Sequence, residues 1–334
     1  MWILACAIVL FVSFATSWLV IIMSKKYKLF IDSSRSSKPQ RFHYRPTSRA
    51  GGLGIVLGIF TGFVLFGLVS SAWAYFLVAS LVVFASGFLE DMGVLLSPRL
   101  RLIIQCFGAL LACIMIEHAW LRDLGLGFEF GYAFGVAFGV FAIVGVCNAM
   151  NIIDGFNGLS GGVAACVCIS IMVVAKQVDM IPIFWACVVL LCAVVGFLLL
   201  NFPQGKIFLG DGGAYLVGFF LAIMLVLLTQ KPSSIVSPWY GFCVMIYPVW
   251  EVLFSILRRK IFTKTDAMQP DSKHFHTLLF KKLGNNPLSS FIIVCVNAPF
   301  VILATFFYAN TIALIATCAV FVISYTIAYY RLAR

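Results

Sequence analysis

Residues 148–162 read NAMNIIDGFNGLSGG and place amide and carboxylate side chains beside a strongly apolar segment. Asn148, Asn151 and Asp154 recur every third residue, so on a helix they share one face, within an arc of about 120°. Carboxylate and amide oxygens suit Mg²⁺, which usually takes one or two carboxylates and completes its shell with water and substrate phosphates. This stretch therefore indicates a site for a metal-bound, phosphate-bearing ligand.

Three more acidic residues stand at the ends of apolar segments. Glu90 and Asp91 lie in FLEDMG (88–93), and Asp211 lies in NFPQGKIFLGDGG (201–213). A charge at membrane depth costs about 2.5–3.5 kcal/mol, so such a group usually faces a polar cavity or an ion. Together with Asp154 these residues predict a Mg²⁺ and phosphate site. The sequence has no Cys and His cluster of the kind that binds zinc.

The elements that must position these residues are membrane helices. Hydrophobic residues make up 63% of the chain and charged residues only 10%, whereas roughly a quarter of residues are charged in soluble proteins. The apolar runs are each close to the roughly 20 residues that cross a bilayer as a helix. We predict an all-α, polytopic membrane protein with one catalytic domain over residues 1–334. The eleven predicted spans cover residues 1–23, 53–71, 73–89, 102–121, 131–148, 158–175, 181–201, 212–229, 235–256, 289–309 and 312–330.

The distribution of basic residues predicts the orientation. All but three of the 23 Lys and Arg fall on one side of the eleven spans, and the exceptions are Arg122, Lys176 and Lys231. By the positive-inside rule this side is cytoplasmic, which leaves the N-terminus outside. The net charge of +11 then faces anionic lipid and an anionic substrate. The basic loops resemble no nucleic-acid-binding module, so we expect no nucleic-acid partner.

The polar motifs all fall on the predicted cytoplasmic side, in loops one to five. Ordinary loop residues would be divided between both faces, so this placement predicts one cytoplasmic site. A transporter or flippase for an anionic lipid or nucleotide sugar is the alternative, but transporters bind substrate near the bilayer midplane and often show two related halves. No internal repeat is visible here. The five motifs are HYRPTSRAGGLG (43–54), FLEDMG, NAMNIIDGFNGLSGG, NFPQGKIFLGDGG and PDSKHFHTLLFKKL (270–283).

The two central motifs closely resemble those of the polyprenyl-phosphate N-acetylhexosamine-1-phosphate transferases. The resemblance extends over residues 43–283 and is closer to the branch that initiates O-antigen and common antigen than to the peptidoglycan branch. It implies a Mg²⁺-dependent enzyme of the bacterial inner membrane, with Mn²⁺ as an alternative ion. It also implies transfer of a sugar 1-phosphate from a UDP-N-acetylhexosamine to undecaprenyl or another polyprenyl phosphate, with release of UMP. A homodimer stays open.

The resemblance also assigns roles to individual residues. It makes Asp211 a Mg²⁺ ligand with Asn151 beside it, and it places a uracil-stacking aromatic at Phe208. Asn148 and Asn157 are expected to bind substrate, although the family has Asp where this chain has Asn157. The acidic pair Glu90 and Asp91 is assigned to the acceptor phosphate and to catalysis, and we expect Asp91 to orient or deprotonate the lipid phosphate. Asp154 is expected to be catalytic as well. We expect His274, His276, Arg49 and Lys206 to bind anionic oxygens.

Simpler structural interpretations remain for several of these residues. Asp154 and Asp211 precede Gly-rich helix starts, where Asp is favoured as a cap. Glu90 and Asp91 could be an ordinary interfacial helix end. Glu251, inside a span, is seven residues before Arg258 and is expected to form a structural ion pair with it, with a role in the site as the alternative. Direct attack by the lipid phosphate is the preferred mechanism, with a covalent aspartyl intermediate as the alternative.

Overall fold

A computed structural model describes residues 2–32, 47–232, 234–260 and 273–334 of the chain. Residues 43–46 of the first motif and 270–272 of the fifth lie outside these ranges. The described residues form thirteen helices and one two-residue antiparallel ladder of β1 (Ile31–Asp32) and β2 (Thr47–Ser48). The helices are α1 (Trp2–Tyr27), α2 (Gly52–Leu65), α3 (Ser71–Asp91), α4 (Pro98–Met115), α5 (Tyr132–Ile153), α6 (Leu159–Gln177), α7 (Ile181–Asn201), α8 (Gly210–Gln230), α9 (Pro238–Val244), α10 (Ile246–Arg258), α11 (Phe275–Leu283), α12 (Asn286–Phe306) and α13 (Thr311–Ala333).

The architecture confirms an all-α polytopic membrane protein. Within the described ranges, nine helices are long and apolar enough to cross a membrane, or ten if α9 and α10 form one bent span. The second predicted span, 53–71, corresponds to α2, which has only 14 residues and is shorter than the other membrane-crossing helices. The ladder between β1 and β2 was not expected, and it connects the end of α1 to the segment that enters α2.

Local sequence signals explain where several helices begin. The Ser97 hydroxyl accepts a hydrogen bond from the Leu100 N–H (3.2 Å), and Pro98 follows at the first helical position of α4. Asn285 caps α12 through the Leu288 N–H in the same way (3.0 Å). These are favourable N-cap and N1 residues, which satisfy or remove the unpaired donors of the first turn.

A bend of 77° separates α9 from α10. Pro248 lies in the first turn of α10, and its missing N–H removes one helical hydrogen bond to the preceding turn, which favours a break at this point. The bend brings α10 into contact with α5 and α13. One consequence is that Glu251, on α10, faces these neighbours from inside the bundle and is 1% exposed.

Helix α8 is the centre of the bundle. In the most apolar stretch of α8, 94% of the residues are buried. The corresponding stretches of α1, α4, α12 and α13 bury a third or less of their residues and leave large apolar side chains on the outside. The most extensive neighbours of α8 are α3 and α5. The N-terminus of α8 therefore lies between the C-termini of the two helices that carry the other acidic motifs.

Candidate active site

Asp211 lies in the first turn of α8 and joins two other helices. Its Oδ1 accepts a hydrogen bond from Nδ2 of Asn151 on α5 (3.1 Å), and its Oδ2 forms an ion pair with Nη1 of Arg101 on α4 (2.7 Å). The side chains of Arg101 and Asp211 are 18% and 19% exposed. The structure thus brings together the two predicted metal ligands. The sequence analysis missed Arg101, whose only signal was a basic residue in the first turn of an apolar helix.

Asp91 holds the same turn of α8 from the end of α3. Its two carboxylate oxygens accept the backbone N–H groups of Asp211 (3.0 Å) and Gly212 (2.9 Å). Asp91 therefore satisfies two of the unpaired donors at the N-terminus of α8, where a negative charge is also favoured by the helix dipole. Because both oxygens are engaged, the geometry favours positioning of Asp211 over the predicted deprotonation of the acceptor.

Glu90 does not join this group. One oxygen of its carboxylate accepts the Leu96 N–H at 3.3 Å, which ties it to the loop between α3 and α4. This contact matches the simpler interpretation of Glu90 as a helix-end residue. Its catalytic role stays a prediction.

The segment that enters α2 lies against the loop that enters α8. The Phe208 N–H donates to the Ser48 carbonyl (2.8 Å), and the Gly51 N–H donates to the Phe208 carbonyl (3.0 Å). Gly210 follows with a φ of +79°, and a Cβ at this position would overlap the Arg49 carbonyl oxygen and meet the Asp91 carboxyl group. The predicted substrate residues Arg49 and Phe208 are therefore adjacent to the Asp211 turn, and only glycine fits between them.

Asp154 ends α5, one turn beyond Asn151, and the Ser160 hydroxyl donates to its Oδ1. Burial raises the pKa of this carboxyl group to about 8, opposed by the Ser160 hydrogen bond and by the Arg49 guanidinium. The charges of Asp211 and Asp91 raise the pKa further. These electrostatic interactions place Asp154 beside the Asp211 group, as the three-residue spacing predicted.

Asn148 points into the bundle, one turn before Asn151. Its amide N–H groups donate to Oε1 of Gln105 on α4 (2.7 Å) and to the Val144 carbonyl (2.8 Å). Both donors are therefore used by the protein, and the predicted substrate contact of Asn148 would rest on its amide oxygen. The sequence analysis did not anticipate Gln105.

The loops around Asn157 explain why this chain carries an amide there. Asn157 Nδ2 donates to the Pro203 carbonyl (3.0 Å), and the Asn157 N–H donates to the side chain of Asn286 (2.8 Å). A carboxylate could not donate to Pro203, so Asn fits this position better than the Asp of the family pattern. Buried Asn201, which sequence reasoning missed, accepts from the Gly158 N–H (2.6 Å) and donates to the Ile207 carbonyl (2.8 Å).

The histidine motif reaches the Asp154 loop through α11. A Cβ added to Gly155 would lie 3.3 Å from His276 Nε2, and the His276 ring packs edge-on against Phe156 with centroids 5.1 Å apart. The His274 and His276 rings stack in parallel, with centroids 5.4 Å apart. The structure therefore places His276 beside the turn that follows Asp154, with His274 stacked against it.

The expected ion pair of Glu251 with Arg258 is wrong. Glu251 Oε1 instead lies 3.0 Å from His274 Nδ1 and accepts the Phe275 N–H (2.9 Å), and its Oε2 accepts the Tyr325 hydroxyl (2.8 Å). The seven-residue spacing on α10 did not decide the partner, because the bend and the packing of α11 and α13 bring better partners to the carboxylate.

Lys206 is, after Glu90, the second predicted site residue that lies apart from the Asp211 group. It is exposed in the loop between α7 and α8, and within the described residues its side chain makes no hydrogen bond or ion pair. Its predicted contact with anionic oxygens stays a prediction.

The donor groups fit a metal site that is completed by substrate. Among the described residues, no three or more His, Cys, Asp or Glu side chains converge on one point. The described residues alone therefore do not enclose a cation. Asp211 offers one carboxylate and Asn151 an adjacent amide, and Mg²⁺ is commonly held by one or two such groups together with substrate phosphates and water.

Comparison with known proteins agrees with this geometry. Residues 73–229, which include Asp91, Asn151, Asp154 and Asp211, match the family model described as "Glycosyl transferase family 4". The predicted resemblance to this family is therefore confirmed over these residues, and the prediction of an enzyme is confirmed with it.

Similar proteins align with most of this chain. It is 26% identical over 269 residues to the "Probable undecaprenyl-phosphate N-acetylglucosaminyl 1-phosphate transferase" of Bacillus subtilis, covering 79% of this chain and 74% of the relative. It is 27% identical over 273 residues to the corresponding transferase of Thermotoga maritima, covering 82% and 80%. It is 26% identical over 268 residues to that of Escherichia coli K12, covering 74% and 69%.

Proposed function

We propose that this protein transfers N-acetylglucosamine 1-phosphate from UDP-N-acetylglucosamine to undecaprenyl phosphate and releases UMP. The observation that carries the proposal is the convergence of Asp91, Asp211, Asn151 and Asp154 with Arg101 at one end of the central helices. The sugar and the lipid acceptor follow from the names of the relatives. The site is expected on the cytoplasmic face of the bacterial inner membrane, where the basic loops lie.

The proposed reaction is a phosphoryl transfer. An oxygen of the lipid phosphate attacks the sugar-bearing phosphorus of the donor, and the bond from that phosphorus to the bridging oxygen breaks. The bridging oxygen leaves with UMP, so the lipid product carries the sugar on a diphosphate. Because a phosphate monoester has a second pKa of about 6, the acceptor is largely ionised at neutral pH, and the main task of the protein is to position and neutralise charge.

Asp211 and Asn151 are the residues that would hold Mg²⁺ or Mn²⁺. When bound, such an ion supplies positive charge against the diphosphate oxygens. Arg101 provides a second positive charge beside the same carboxylate. Asp91 keeps the turn in place through the two N–H groups that it accepts.

Asp154 has a different role in this proposal. With a pKa of about 8, it is mostly protonated at neutral pH when no cation is present. A neutral carboxyl group does not repel an incoming phosphate and can donate a hydrogen bond to it. The histidine pair beside Gly155 offers further donors for anionic oxygens.

The test is an assay of purified protein with undecaprenyl phosphate and UDP-N-acetylglucosamine, UDP-N-acetylgalactosamine or UDP-glucose. We expect UMP and sugar-diphosphate lipid in equal amounts with the first donor, and loss of both when EDTA replaces Mg²⁺. UMP release in the absence of the lipid phosphate would indicate a hydrolase and contradict the proposal. Absence of UMP with all three donors would contradict it as well.

The two chemical routes are distinguished by exchange. A covalent aspartyl intermediate would release UMP before the acceptor binds, and so would exchange radiolabelled UMP into the UDP-sugar without lipid phosphate. With direct attack, labelled UMP enters the UDP-sugar only by reversal from the lipid product, so exchange requires that the lipid phosphate is also present. We expect this second result, because both oxygens of Asp91 already accept backbone N–H groups.

A further inference from the structure

Glu251 on α10 is a buried hydrogen-bond acceptor that contacts the start of the histidine motif. Its carboxylate is 1% exposed and contacts three groups from two other elements. These groups are the His274 ring and the Phe275 N–H, at the start of α11, and the Tyr325 hydroxyl of α13. A buried carboxylate with this many partners is well satisfied, and removal of the acceptor would leave buried donors unpaired.

The contact with His274 determines which ring nitrogen carries the proton. Glu251 Oε1 lies 3.0 Å from His274 Nδ1 and already accepts the Phe275 N–H. A carboxylate can only accept, so Nδ1 must be the protonated nitrogen. Nε2 is then the acceptor of a neutral His274, or a second donor of a charged one. An oriented histidine of this kind is typical of sites in which the ring meets a substrate or an ion.

The same contact also fixes the position of α11. Glu251 accepts the Phe275 N–H in the first turn of this helix, and His276 follows one residue later. His276 lies against Gly155, beside Asp154. The carboxylate on α10 is thus linked through α11 to the loop that carries the central motif.

We propose that Glu251 is a positioning residue, which holds His274 as the Nδ1–H tautomer and seats the histidine pair against the Asp154–Gly155 turn. This role rests on the proposed function, because it assumes that the histidines contact the phosphates of the donor or acceptor. Tyr325 supports Glu251 by donating to its second oxygen.

The experiment compares Glu251→Met with Glu251→Gln. Methionine has a similar length but no acceptor. The amide oxygen of glutamine can still accept from His274 and Phe275, while its NH₂ can donate to the Tyr325 oxygen. We expect Glu251→Met to lower kcat about 10- to 100-fold, the usual effect of losing such a supporting contact, with little change in KM. We expect Glu251→Gln to retain kcat within a few-fold.

The readout that does not depend on activity is histidine ¹⁵N NMR. The chain has only four histidines, and the signals of His43 and His118 can be identified by replacing each of them. We expect the His274 Nδ1–H tautomer in the wild type and in Glu251→Gln, and its loss in Glu251→Met. Glu129→Gln, at an exposed position paired with Arg122 and with no histidine, is the matched control and should change neither readout.

Several outcomes would overturn the proposal. If folded Glu251→Met keeps the wild-type kcat and tautomer, Glu251 has only a structural role. If Glu251→Gln loses activity 100-fold, the negative charge matters rather than the acceptor geometry. Should Glu251→Met fail to fold, Tyr325→Phe still tests the network, since it keeps both bonds of Oε1 and should lower kcat only a few-fold. An inactive wild type with the expected tautomers would contradict the proposed function alone.

Discussion

Asp211 has two positively polarised neighbours at hydrogen-bond distance, the Arg101 guanidinium and the Asn151 amide. A single carboxylate can satisfy both and still hold a cation, because each oxygen has more than one lone pair. In the proposed reaction the substrate phosphates would compete with Asp211 for Arg101. The charge of Asp211 is therefore the property on which the site depends most.

We predict that Asp211→Asn lowers turnover by at least about 100-fold while the protein still folds. The substitution nearly keeps the shape of the side chain but removes the charge that a divalent ion requires, and that ion contributes several kcal/mol of charge stabilisation. UMP release and size-exclusion elution measure the two effects. Asp179→Asn, in the exposed turn before α7, is the control. Activity close to that of the wild type would remove Asp211 from the metal site.

Asp154 makes the stability of the metal-free protein depend on pH. Its pKa is about 8 in the folded protein and about 4 in an unfolded chain, so folding favours the protonated form. The associated stabilisation is full below about pH 4 and is lost as the pH rises through about 8.

We therefore predict that, in EDTA, the melting temperature of the wild type falls between pH 6 and pH 9 more steeply than that of Asp154→Asn. The amide cannot ionise, so this variant lacks the contribution. Scanning fluorimetry in detergent measures both curves. Identical slopes for the two proteins would show that Asp154 does not titrate in this range.

The elements of the site meet at the start of α8. Gly210 has a positive φ, and its Cα faces the Arg49 carbonyl and the Asp91 carboxyl group. The chain therefore turns into α8 in contact with both α3 and the segment before α2. A side chain here would separate these elements and move Asp211.

We predict that Gly210→Ala lowers kcat by at least about 100-fold, because small displacements of catalytic groups have effects of this size. Gly127→Ala is the matched control. Gly127 also has a positive φ (+85°), but a Cβ there would meet nothing within 4 Å. Both variants carry the backbone strain of about 1 kcal/mol, so a similar loss of activity in both would attribute the effect to strain rather than to close packing.

The whole molecule presents its polar motifs at one end of the bundle. By the positive-inside rule we predict that this end is cytoplasmic, where nucleotide sugars are available. The structure supports a common end for these motifs through the contacts of Asp211 with Asn151, Arg101 and Asp91.

We predict that a reporter fused after Gly284 reads cytoplasmic and one fused after Lys231 reads external. The segment around Gly284 follows two lysines of α11, whereas Lys231 is one of three basic residues on the opposite side. An alkaline phosphatase and green fluorescent protein pair measures both positions. The reverse result would place the site outside the cell.

The sequence by itself determined the membrane class, the helical architecture and the principal acidic residues. Long apolar runs allow few structures in lipid, because every buried backbone group must pair within its own helix. The three-residue spacing of Asn148, Asn151 and Asp154 likewise defined one helix face. These features depend on neighbouring residues along the chain, which is why local patterns were sufficient.

Only the tertiary structure decided which side chains meet. Asp91 caps α8 across 120 residues of chain, Arg101 reaches Asp211, and Glu251 pairs with His274 rather than Arg258. It also showed that α2 is short and that Asn148 faces Gln105. Each of these contacts depends on how helices pack and where α9 and α10 bend. A charged group takes the partner that packing brings within reach, and hydropathy and sequence spacing do not contain that information.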